Sequence, residues 1–194
     1  MSDVYANFAA LRRSRVEGRD YRIVVRPGAA GCDTAVIAPH GGAIEPHTSL
    51  VAAAVAGADL GLYCFEGRMR HGNAGLHVTS ENFDEPGALA LVKTAARVVA
   101  IHGRKDRGAP ATVEYGGKDA QLAARIAERL ERAGFRAMRS PRLPGLAETN
   151  IVNRGATGRG VQLELPFSLR DRLAAEPDLL AGFASAVRSV IHQG

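Results

Sequence analysis

Ala38-Pro39-His40-Gly41-Gly42-Ala43-Ile44-Glu45-Pro46-His47 places an imidazole and a carboxylate five residues apart on one short stretch. It follows an apolar run, Thr34-Ala35-Val36-Ile37, and precedes Thr48 to Val55, which has the composition of a helix. The pattern predicts a strand that ends at His40, a turn made by the two glycines, and a helix opened by Pro46 at its first position. Histidine and glutamate converging on a loop at a sheet edge suit a divalent metal, most naturally zinc in an open site. Taken alone, the same stretch also reads as a tight turn whose histidine caps the helix.

Two further strand ends repeat the theme. Arg97 to Gly103 is again an apolar run followed by His102 and glycine, and Gly160 to Pro166 carries Glu164 near the end of an apolar strand. In parallel α/β sheets ligands bind beyond the carboxyl ends of strands, so His40 and His102 can meet despite their separation in sequence. Two histidines and a carboxylate with a fourth position open make a hydrolytic zinc site, and a further carboxylate can act as general base. Glu164 alone would read as well as a buried partner of an arginine, and His47 competes with Glu45 as a ligand.

The elements that must position these groups follow from periodicity. Tyr5 to Arg15 reads as a short helix on the core, Tyr21 to Arg26 and Leu60 to Phe65 as strands, and Leu76-His77-Val78-Thr79 as a short strand. Gly87 to Arg97 and Lys118 to Ala133 have helical stripes, Phe135 to Met138 reads as a strand, and Leu169 to Ala175 and Pro177 to His192 close the chain as helices. Gly103 to Pro110 reads as a charged loop. Strands are expected to deliver His40, Glu66, His102 and Glu164 to one edge of one sheet.

The chain has 194 residues, 46% of them hydrophobic, which suits one domain, and 22 glycines and nine prolines suit alternating strands and helices. The expected fold class is α/β, one domain over residues 1–194 with the first 20 as a helical extension packed on it. Basic residues exceed acidic ones by 25 − 20 = 5, without a basic run. With no tryptophan, a stacking platform for single-stranded nucleic acid is disfavoured. No stretch has the length of a membrane span or a signal-peptide core, so a cytoplasmic protein is expected, with release on lysis left open. Cys32 and Cys64 lack metal-type spacing and read as free thiols of a reducing compartment, with one disulfide between them as the alternative. Oligomeric state is not addressed by these features.

His40-Gly41-Gly42-Ala43-Ile44-Glu45, Phe65-Glu66-Gly67, Leu76 to Ser80 with Asn82-Phe83-Asp84, Ile101-His102-Gly103, Asn150 to Arg154 and Gly160 to Leu165 resemble, in order, the motifs of the poly-γ-glutamate hydrolase family of phages and bacteria. The resemblance runs from about Thr34 to Arg170. It implies an architecture like that of zinc carboxypeptidases, a mixed and mostly parallel sheet flanked by helices, and a polyanionic peptide-like substrate. It also implies zinc bound by His40, Glu45 and His102, with Glu164 as general base. Arg154 and Asn153 are candidates for binding substrate, Arg154 by clamping a carboxylate with its guanidinium. His77 is a candidate for a supporting position beside the ligands. Four residues separate His40 from Glu45 where the carboxypeptidase pattern has two, so that kinship is architectural.

Overall fold

A computed structural model describes residues 3–106 and 111–192. The part of the expected charged loop from Arg107 to Pro110 lies outside the described residues. In chain order the elements are α1 (Phe8–Leu11), β1 (Tyr21–Arg26), β2 (Thr34–Gly42), α2 (Thr48–Ala56), β3 (Gly61–Gly67), α3 (Pro86–Thr94) and β4 (Arg97–Arg104). They continue as β5 (Thr112–Gly116), α4 (Ala120–Arg132), β6 (Arg136–Arg139), β7 (Val161–Pro166), α5 (Phe167–Ala175) and α6 (Pro177–Ile191), with 3-10 turns at Asn73–Leu76 and Ile151–Asn153.

All seven strands form one sheet in the order β1-β3-β2-β4-β7-β5-β6. The central β3, β2, β4 and β7 run parallel, β1 is antiparallel to β3, and β5 is antiparallel to β7. His40, Glu66, His102 and Glu164 therefore all lie towards the C-terminal ends of neighbouring parallel strands, as the recurrent apolar-then-polar pattern predicts.

Side chains alternate between two cores. Val36, Ala38, Val99, Ile101, Val161, Leu163 and Leu165 point into an aliphatic layer completed by Val51, Ile126, Leu130, Phe183 and Val187 of α2, α4 and α6. Ala35, Ile37, Val98 and Ala100 point the other way, towards Phe8, Tyr21, Phe65, Phe83, Ile151 and Val152. Helix α4 fits its signals: the Asp119 carboxylate accepts a hydrogen bond from the Leu122 N–H at 3.0 Å at its start, and Gly134 takes φ 87° after its end.

Several expectations change. The N-terminal extension contains only four helical residues, Phe8–Leu11, and is otherwise irregular. Residues 77–79 form no strand; they leave the 3-10 turn as an extended segment without ladder partners. Helix α2 begins at Thr48, not at Pro46, because the preceding loop closes on itself: the Glu45 N–H bonds the His40 carbonyl at 2.9 Å and His47 adopts φ 73°. Strand β5, with Val113 and Tyr115 alternating, is an element the sequence did not announce. Cys32 and Cys64 are unpaired, and burial pushes the Cys64 thiol up to about 12, so it stays protonated at neutral pH.

Candidate active site

Strand parity alone puts His102 and Glu164 on the face away from the aliphatic layer, and they are register partners on adjacent strands. Parity would put His40 on the opposite face, with Val36 and Ala38. The pairing of β2 with β3 is irregular between Ala38 and Gly41. Pro39 stands at that irregularity and has no N–H to give to a ladder, which favours a bulge there. The shift brings His40 round to stack on His77 and meet Phe83 edge-on. Gly41 and Gly42 are required by the same turn. A Cβ on Gly41 would lie 2.1 Å from the Ser49 hydroxyl, and one on Gly42, at φ 60°, 2.5 Å from the Gly67 carbonyl.

His40, Glu45 and His102 come together. His40 Nδ1 lies 3.2 Å from His102 Nδ1 and 3.3 Å from Glu45 Oε1, and His102 Nδ1 lies 3.9 Å from Glu45 Oε2. The orientation of each is set by a second contact. His40 Nε2–H donates to the Val78 carbonyl at 2.8 Å, which leaves Nδ1 with its lone pair facing the cluster. Glu45 Oε2 accepts from the Gly103 N–H at 2.7 Å, leaving Oε1 towards His40.

This arrangement fits a metal. Two donor atoms each about 2.0–2.1 Å from one ion at a tetrahedral angle stand about 3.3–3.4 Å apart, close to the spacings around His40 Nδ1. One proton between the two imidazoles would satisfy that pair and leave the Glu45 oxygen facing a lone pair. A divalent cation satisfies all three. His77 offers a second trio, since ligating atoms of His40, Glu45 and His77 lie within 4.8 Å of one another. The His77 ring is stacked on His40, centroids 4.0 Å apart and 30° between planes, so their in-plane lone pairs run side by side and do not converge. His77 Nδ1–H donates to Asp3 Oδ1 at 2.7 Å, which leaves the Nε2 lone pair as its ligating candidate.

Charge follows the geometry. Burial acts to raise the Glu45 pKa, but His40, His102 and the Gly103 N–H overcome it and bring the carboxyl down to about 2. Burial works against protonated His40 too, and Glu45 outweighs it, so that its pKa rises. His102 is driven down to about 3 by burial and then by the like charge of His40. Glu164 is pushed up to about 8, first by burial and then by the negative charge of Glu45.

Glu164 is buried and accepts a hydrogen bond from the Gln162 amide at 3.3 Å. Among the described residues no arginine or lysine forms an ion pair with it; Arg104, the nearest candidate by position, has its Nε 3.2 Å from Glu114. His47 turns away, with its ring 3.7 Å from Asp171, and Glu66 bonds Arg22 Nε at 2.9 Å on the β1 side. Arg154 is half-buried, and its one side-chain hydrogen bond among the described residues runs to the Glu81 carbonyl at 3.5 Å, beside Ser80, whose hydroxyl is 3.5 Å from His102 Nε2. Asn153 is different from expectation. Its amide donates to the Gly145 and Ala147 carbonyls, and its oxygen accepts from the Lys118 and Gly160 N–H groups, so its capacity is spent on bracing loops.

Sequence reasoning overlooked Arg170. It is buried in α5, and its guanidinium donates to the carbonyls of Leu165, Pro46 and Arg104, tying the Glu45 loop to the ends of β4 and β7. The signal for it was weak, a charge beside Leu169 in a short amphipathic helix.

Among the described residues no helix is long and apolar enough to cross a membrane. The chain is 37% identical over 175 residues to the UPF0714 protein YndL of Bacillus subtilis (strain 168), a match that spans 88% of this chain and 67% of that protein. A solved bacteriophage poly-gamma-glutamate hydrolase superposes with a TM-score of 0.91 at 29% identity, covering 99% of this chain and 98% of the other. A zinc-free structure described as YNDL-apo superposes at 0.89 with 31% identity over the same shares. A likeness in fold alone, with a TM-score of 0.56 at 12% identity over 89% of this chain and 97% of the other, extends to N-formylglutamate amidohydrolase from Ralstonia eutropha JMP134. The expected α/β architecture, a mixed and mostly parallel sheet flanked by helices, holds. The family model for poly-gamma-glutamate hydrolase matches residues 5–182, and the chain belongs to that family.

Proposed function

We propose that the protein is a zinc-dependent hydrolase of γ-glutamyl amide bonds in poly-γ-glutamate, with zinc held by His40, Glu45 and His102. The observation that carries the reading is the meeting of the two imidazole Nδ1 atoms and the Glu45 carboxylate within 3.2–3.9 Å, near Glu164, a buried carboxylate with no cationic partner among the described residues. The name of the similar YNDL structure, marked as zinc-free, supports the choice of metal.

Zinc held there would supply Lewis-acid polarisation of an amide carbonyl and acidification of water. The chain's own groups do the rest. Glu164, one strand away from His102, accepts the proton of the attacking water and passes it to the leaving amine nitrogen. The Gln162 amide holds Glu164 Oε1 in place for that transfer. Arg154, on the rim beside Glu81, offers a largely unengaged guanidinium to a substrate carboxylate, and the overall charge of +5 favours a polyanion. Asn153 contributes by fixing the turn that carries Arg154.

Glu164→Gln tests the reading because it keeps the side-chain shape and removes the base. Zinc content and melting temperature are expected to stay near wild type, while turnover of poly-γ-glutamate falls about 10²–10⁴-fold. Parallel assays on α-linked polyglutamate read the linkage. Near-normal turnover per folded molecule, or a preference for the α-linked chain, would overturn the assignment.

A further inference from the structure

We propose that Asp3, from the N-terminal segment, is a positioning residue of the metal centre. The inference rests on the reading of His40 as a ligand and extends the site to a part of the chain that carries none of the chemistry. Asp3 Oδ1 accepts from His77 Nδ1–H at 2.7 Å, and Asp3 Oδ2 accepts from the Thr79 N–H at 2.6 Å. One carboxylate thus grips the chain on both sides of Val78. The carbonyl of Val78 is the acceptor for His40 Nε2–H, the bond that leaves His40 Nδ1 free to ligate.

Residues 77–79 need such a grip because they belong to no helix or strand. Their local backbone bonds lie at the two ends of the segment: the His77 N–H reaches the Ala74 carbonyl at 3.3 Å, and the Thr79 carbonyl accepts from the Asn82 N–H at 2.8 Å. The Asp3 end is itself well seated. Phe8 and Leu11 are buried in the aromatic core, and the Phe8 N–H donates to Asp84 Oδ1 at 2.7 Å. The Asp3 side chain is 18% exposed, so its charge-assisted bonds are only partly screened by water. It also orients the His77 ring that stacks on His40, so two of the contacts that fix His40 pass through the same carboxylate.

Groups outside the ligand set that orient a ligating histidine typically contribute 10–100-fold to metal affinity. Asp3→Asn would put an amide donor against one of two N–H groups and is expected to weaken zinc binding by about tenfold or more. Competition between the full-length protein and a chromophoric chelator measures this, with His40→Ala as the reference for a lost ligand. Asp3→Glu, which keeps the charge, is expected to recover part of the affinity. Nitrogen-15 spectra of the metal-free protein give a second readout: one ring tautomer for His40 in the wild type, a mixture in Asp3→Asn. A purely structural Asp3 would lower the melting temperature and leave both zinc affinity and the tautomer unchanged, and that result would overturn the proposal. A wild-type protein that takes up no zinc would instead remove the metal reading on which the proposal stands.

Discussion

On one face of the sheet Val36, Val99, Ile101 and Leu163 meet four helices; on the other, where Ala35, Ala100, Gln162 and Glu164 lie, the short helices α1 and α3 share the cover with 3-10 turns and irregular chain. Helices satisfy their own backbone groups, so what they present to the sheet is apolar side chain. Irregular chain has carbonyls and N–H groups to spare, and here it spends them on the cluster. Val78, in such a segment, orients His40, and Gly103, at a strand end where the ladder gives out, orients Glu45. The difference teaches where polar chemistry can be placed at low cost: beside backbone that has not already paired with itself. Stability should accordingly be concentrated on one face and metal chemistry on the other.

His102→Ala is the strongest way to break that division. It removes one of three ligands and is expected to abolish stoichiometric zinc and activity together. The metal-free protein should melt close to wild type, because the lost ring faced another imidazole nitrogen at 3.2 Å and not a strong partner. Metal analysis and calorimetry check both halves. Retention of one zinc per chain would move the site to the trio containing His77.

The opposite perturbation lies across the sheet. Ile126 is fully buried in α4, within the aliphatic layer, and Ile126→Ala is expected to cost about 2–5 kcal/mol in urea unfolding through lost burial and the cavity left behind. Zinc stoichiometry of the folded fraction should not change. A variant that lost zinc in proportion to its stability would show the two faces to be one cooperative unit for metal binding as well as for folding.

What could be read in advance divides along the same line. The strand that carries His102 is an apolar run and the one that carries Glu164 alternates apolar and polar residues, so their ends and their shared face follow from counting by two. Counting fails for His40, since Pro39 shifts the pairing and reverses the face on which the imidazole lies. It fails also at His77, where a strand-like composition, Leu76-His77-Val78-Thr79, finds no neighbouring strand to pair with and is held by side chains instead. Asp3 stands 74 residues before its histidine, and nothing local marks it. Arg170 serves the backbone carbonyls of Pro46 and Arg104, far away in sequence, and Asn153 those of Gly145 and Ala147 in its own loop, roles that leave no periodic trace. Asn153 looked like a substrate contact because it sits in a motif with Arg154, whereas its four bonds are all internal.

The smallest expected effect sharpens the comparison by testing stability on the helical face without touching its packing. Asp119 caps α4 through the Leu122 N–H at 3.0 Å, and its other oxygen lies 3.7 Å from Arg159 Nε, a side chain 61% exposed. The Asp119 N–H donates to the Gly160 carbonyl, a bond that any non-proline residue would keep. Asp119→Ala should therefore cost about 1 kcal/mol, the usual value of a lost cap, and Asp119→Asn should cost only a fraction of that, since its amide oxygen can still accept. The exposed pair with Arg159 is expected to add little, being screened and held by a mobile side chain. Urea unfolding of both variants at low and moderate salt separates the two contributions. If Asp119→Asn lost as much as Asp119→Ala, and the loss shrank with salt, the ion pair and not the cap would be what holds the start of α4. Zinc affinity should be the same in all three proteins, because loss of the cap leaves in place the backbone groups that orient the ligands, the Val78 carbonyl and the Gly103 N–H.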